Sequence, residues 1–103
     1  MDYQLVLQFT TQSETEHEPL LLLEDDFIER LEDSAEVDGH DAAGAAFNIF
    51  ITTGNPKKTF DRLKPLLDER SLMNRVTAAF RHVDEDDYRV LWPADETRPF
   101  LAP

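Results

Sequence analysis

Cysteine is absent from this chain of 103 residues, and glycine occurs three times. Without cysteine there are no disulfides, no thiolate metal ligands and no cysteine nucleophile, a composition that fits a cytoplasmic chain. Three glycines, Gly39, Gly44 and Gly54, are too few and too scattered for a dinucleotide fingerprint or a phosphate-binding loop. No apolar run approaches the ~20 residues that a membrane helix needs, the longest greasy stretch being PLLLL at 19–23. The opening MDYQLVLQFTTQ has no basic segment and starts in a strand pattern, so no secretory signal is expected. The length suits one domain.

Basic residues are scarce where acids are dense. The net charge is −12. Residues 1–41 hold thirteen Asp and Glu against a single Arg, whereas residues 42–103 hold nine acids and nine Lys and Arg. Acidity of that size opposes direct binding of nucleic acid, whose phosphates would be repelled. Its confinement to the first two-fifths of the chain predicts an acidic face suited to a basic partner.

Periodicity supplies the elements. YQLVLQF alternates Tyr3, Leu5, Leu7 and Phe9 against Gln4, Val6 and Gln8, which reads as a half-buried strand. Pro19 then suits a first helical turn. Leu20, Leu23, Phe27 and Leu31 form a helical stripe that Ile28 is expected to widen. Glu24, Asp25, Asp26, Glu29, Glu32 and Asp33 are placed on the opposite, outer side. AEVDGHD reads as a short, weak strand whose Asp-Gly signals a hairpin. FNIFITT is the strongest strand, with Phe47, Ile49 and Ile51 on one face. Asn55 is a plausible cap and Pro56 a first residue for a second helix, with Phe60, Leu63 and Leu67 buried. Pro65 should kink or shorten that helix, because it cannot donate to the carbonyl of Asp61. RVTAAFRHV and YRVLW close the pattern as two further strands.

The order predicts an α+β fold, a ferredoxin-like βαββαβ two-layer sandwich with a short extra C-terminal strand. Residues 1–93 form its single domain, and 94–103 an irregular Pro-rich tail.

Asp38, His40 and Asp41 place two carboxylates and an imidazole within four residues, part of a divalent-ion site. In an extended segment Asp38 and His40 would share a face, with Asp41 across from them. Such a site needs another ligand, for instance His82 or Asn48. The competing reading is a turn, with Asp-Gly for the reversal. Residues 38–51, DGHDAAGAAFNIFI, together with Tyr88, Val90, Leu91, Trp92 and Pro93, resemble a group of small acidic uncharacterised bacterial proteins. The resemblance implies a bacterial origin and no particular activity. The spacer departs from that group, with Ala43 and Ala45 where glycine is expected.

Catalytic patterns are weak. His82 and Asp84 make one candidate pair, and Ser13, Ser34 and Ser71 all fall in expected loops or helix ends. The expected function is therefore non-catalytic: an acidic binding protein of a bacterial cytoplasm, of inhibitor, immunity or adaptor type, without cofactor. A basic protein partner would be met through Glu24, Asp25, Glu29 and Glu32. The alternative is a metal- or small-ligand-sensing module using Asp38, His40 and Asp41. Trp92, Tyr88 and Phe100-Leu101 are a further candidate anchor for a partner, and a homodimer joined through sheet edges or exposed sheet faces is a third expectation.

Overall fold

The computed structural model describes residues 2–11, 14–43, 45–94 and 100. Five strands form one antiparallel sheet: β1 (Tyr3–Thr10), β2 (Ala35–Ala43), β3 (Ala46–Thr53), β4 (Val76–His82) and β5 (Arg89–Trp92). Their spatial order is β2-β3-β1-β4-β5, so the central strand is the first in sequence. Helix α1 (His17–Leu31) connects β1 to β2, and α2 (Pro56–Glu69) connects β3 to β4. The expected tail, 94–103, lies outside the described residues except for Ala94 and Phe100.

The core follows the alternation. Leu5, Leu7 and Phe9 of β1 and Phe47, Ile49 and Ile51 of β3 meet Leu20, Leu23, Phe27 and Leu31 of α1 and Phe60, Leu63 and Leu67 of α2. Full burial of one such side chain stabilises the fold by about 1.5–3 kcal/mol. On the far face of the sheet, Val6 and Ala79 are buried as well, opposite one another in the β1–β4 register. Polar neighbours on that face bond across strands. Gln8 Nε2 donates to Asn48 Oδ1 at 2.9 Å, while Arg81 Nε and Tyr88 Oη both donate to Gln4 Oε1 at 3.1 Å.

Local signals place the second helix. Asn55 is extended and its Oδ1 accepts from the Lys58 amide at 3.1 Å, so it caps a helix whose first residue is Pro56. Pro65 does not shorten it, since α2 continues to Glu69. Asp61 and Pro65 both lie on the exposed side, where water can serve the carbonyl that the proline leaves without a donor.

Three other expectations are corrected. The segment AEVDGHD is part of a nine-residue strand and not a short one. Asp38-Gly39 is not its hairpin turn: the β2–β3 register shifts between Val37 and Gly39, making a bulge, and pairing continues to Ala43 opposite Ala46. Gly39, which follows the inserted Asp38, has φ +132°, a conformation that suits glycine. Ile28 does not widen the buried stripe; it is 51% exposed.

Candidate functional site

The bulge decides where the DGHD side chains go. Val37 pairs with Ile51 and His40 with Ile49, both partners pointing to the helix-covered face. Gly39 pairs with Phe50 and Asp41 with Asn48, on the far face. Asp38 is the inserted residue, and its carboxylate accepts from the Thr52 hydroxyl. Thr52 stands opposite Gln4 in the register, so Asp38 also belongs to the far face. The expectation that Asp38 and His40 share a face is thus overturned, because one extra residue inverts the alternation. Among the described residues no group of three or more His, Asp or Glu is arranged to hold a metal ion. His82, considered as a further ligand, lies on β4, two strands away from β3.

His40 has other partners. Its ring stacks on Phe47 with centroids 5.2 Å apart and planes at 10°, and its Nδ1 lies 3.1 Å from Glu24 Oε1. Glu24 is therefore not on the outer side of α1. Its side chain is only 14% exposed, and its Oε2 is buried without a partner among the described residues. The helical period explains this: position 24 is four after Leu20, three before Phe27 and seven before Leu31, in phase with the stripe. That signal was present in the sequence and was outweighed by the residue's charge.

The other three proposed partner-binding residues, Asp25, Glu29 and Glu32, are exposed. The acids of α1 differ in how their charges are satisfied. Towards α2, Arg70 pairs with Asp26, and Arg62 donates to Ser34 Oγ at 2.8 Å and to the Arg30 carbonyl at 3.0 Å. At the amino-terminal end of α1, Arg75 pairs with Glu16 at 2.7 Å. Asp25, Glu29, Glu32, Asp33, Glu36 and Asp41 have no ion-pair partner among the described residues, although Glu29 and Glu32 share a recess towards α2 with Arg30, Arg62 and Arg70. Just after α1, Glu32 and Asp33 border one region with Glu36 of β2.

A groove runs between them. It is lined by Ile28, Glu32 and Asp33 from the carboxyl-terminal end of α1 and its 3-10 extension, and by Ala35, Glu36 and Val37 of β2. Three of these residues are apolar and three are acidic. The sequence does not signal this groove: Ile28 falls beside the buried stripe, and AEVDGHD reads as a short strand.

The remaining candidates separate in space. Trp92 lies on the helix side: its Nε1 donates to the Met73 carbonyl at 2.8 Å, and Lys64 Nζ lies 5.8 Å from its ring. Tyr88 is on the far face, with Phe100 at 5.1 Å between ring centroids. The two aromatics do not make one anchor, and Leu101 is outside the described residues. His82 Nδ1 accepts the Asp84 amide at 3.2 Å, with the Asp84 carboxylate farther off at 3.7 Å and largely in solvent. Ser34 donates to the Leu31 carbonyl at a helix end, as expected from its position.

No helix among the described residues is long and apolar enough to cross a membrane. Compared with protein-family models, with curated proteins and with solved structures, the chain matches none.

Proposed function

We propose that this chain is a non-catalytic acidic binding protein that holds a partner with a basic surface, in the manner of an inhibitor, immunity protein or adaptor. The carrying observation is a set of exposed acids on and just after α1 that make no ion pair. Asp26 pairs with Arg70, whereas Asp25, Glu29 and Glu32 are exposed and unpaired among the described residues. Unpaired like charges raise the free energy of the compact chain, and a basic partner would relieve that repulsion while accelerating encounter. We assign the scaffold to the ferredoxin-like βαββαβ class, with β5 as the extra strand. The β1-α1-β2 and β3-α2-β4 units and the order β2-β3-β1-β4 support that assignment. Such a scaffold hosts many functions and does not choose among them. The likeness to small acidic bacterial proteins supports a bacterial setting, and the lack of cysteine a cytoplasmic one.

The test is capture from a lysate of the source organism at low salt, followed by elution with salt. The expected result is one stoichiometric basic protein, released by salt and not retained by the variant Asp25→Lys/Glu29→Lys/Glu32→Lys. Equal retention by that variant, or an empty capture, overturns the reading.

A further inference from the structure

The sheet has one long edge with a distinctive two-sided chemistry. β2 is its outermost strand, and among the described residues nothing pairs with its outer side. An unpaired edge presents a row of backbone donors and acceptors to any extended chain that can lie beside it. Proteins commonly blunt such edges with lysine, proline, bulges or very short strands. This edge is nine residues long and contains neither lysine nor proline, and its bulge between Val37 and Gly39 leaves a paired run on either side, Ala35–Val37 and Gly39–Ala43.

Its two faces differ. On the helix side the edge offers the partly buried Val37, which shares the groove with the half-exposed Ile28 of α1. On the far side it offers three acids, Glu36, Asp38 and Asp41, since Glu36 pairs with Thr52 and Asp41 with Asn48. A strand added here would alternate in the same way, its residues pointing by turns to the groove and to the carboxylates. A second copy of this chain fits poorly. Pairing two β2 edges would set Glu36, Asp38 and Asp41 of one copy beside the same acids of the other, and like charges facing across strands are destabilising.

We propose that the β2 edge captures an extended basic segment of a partner protein by strand addition, with apolar residues entering the Ile28–Val37 groove and lysines or arginines meeting Glu36, Asp38 and Asp41. This deepens the basic-partner reading and rests on it: the outer acids of α1 attract the partner, and the β2 edge supplies register. Backbone pairing provides affinity in this mode, and the alternating side chains provide selectivity.

The probe is a nine-residue peptide alternating lysine with valine, blocked at both ends. A second peptide of the same sequence carries N-methyl groups on alternate residues, in both possible phases. Binding to the full chain is followed by amide chemical shifts and by amide hydrogen exchange. The expected outcome is slowed exchange across Ala35–Ala43, and an affinity lowered at least about tenfold by one of the two methylation phases. Ile28→Ser, a change at an exposed position, should weaken binding of the unmethylated peptide, and so should Glu36→Lys with Asp41→Lys. Equal binding of all peptides, with shifts confined to the outer side of α1, overturns strand addition and leaves the basic-partner reading standing. No salt-sensitive binding of any lysine peptide overturns the inference, and that reading also falls if the lysate capture is empty. Dimerisation of the chain through β2 without peptide overturns the inference too.

Discussion

His40 Nδ1 and Glu24 Oε1 stand 3.1 Å apart, joining the middle of α1 to the edge strand β2. The pair is unequal: the histidine is 38% exposed at its side chain, whereas the glutamate is mostly buried and one of its oxygens has no partner among the described residues. A buried acceptor without a donor costs about 1–3 kcal/mol, and a half-exposed ion pair returns only ~0–1 kcal/mol. Glu24→Met should therefore be neutral or stabilise the fold by up to about 1 kcal/mol, since it keeps the packing and removes the orphan oxygen. Chemical denaturation checks this; a loss above about 1 kcal/mol would show that the histidine contact outweighs the desolvation.

Gly39 makes a separate prediction about the bulge. A Cβ at this position would meet nothing within 4 Å, so any penalty for alanine comes from the backbone, whose φ is +132°. Gly39→Ala should cost on the order of 1–3 kcal/mol. The denaturation midpoint should fall with an unchanged slope, because the same surface is exposed on unfolding. A midpoint equal to wild type would mean that the bulge is not held in that conformation.

Thr53 and Thr59 hold the β3–α2 connection through a buried hydroxyl pair 2.6 Å apart, and Thr53 Oγ1 also accepts the Asn55 amide at 3.1 Å. Thr53→Val leaves both the Thr59 hydroxyl and the Asn55 amide without their partner, and should cost about 1–3 kcal/mol. Thr59→Val should cost less, because Thr53 retains the amide. The double variant should cost less than the sum of the two singles, a coupling that a double-mutant cycle measures directly. Simple additivity would show that the two hydroxyls do not interact.

Trp92 is tied to the loop after α2 by the bond from its Nε1 to the Met73 carbonyl. Trp92→Phe keeps an aromatic ring beside Lys64 but removes that donor, and should cost about 0.5–1.5 kcal/mol by thermal or chemical unfolding. Slowed exchange of β5 amides in wild type, lost in the variant, would tie the effect to the docking of the edge strand. Unaltered stability and exchange would count against the bond.

Much of this protein is written in its periodicities. The alternation of Tyr3 to Phe9 and of Phe47 to Ile51, the stripe of Leu20, Leu23, Phe27 and Leu31, and the Asn55-Pro56 helix start each act over a few residues. Local sterics and burial of one face are enough to specify them. The charge imbalance between 1–41 and 42–103 is likewise a property of the sequence alone. Three features that shape the candidate site are tertiary. The inversion of Asp38 relative to His40 depends on a bulge set by pairing with Ile51 and Phe50 of a distant strand. The inward position of Glu24 follows its phase on α1, but its partner, His40, is supplied only by β2 lying beside the helix. The exposure of Ile28 depends on where the sheet ends, and a helical stripe cannot tell how wide a surface will cover it. The sequence by itself determined which residues carry charge and which faces seek burial; only the packed sheet decided which acids were neutralised and which edge stayed open.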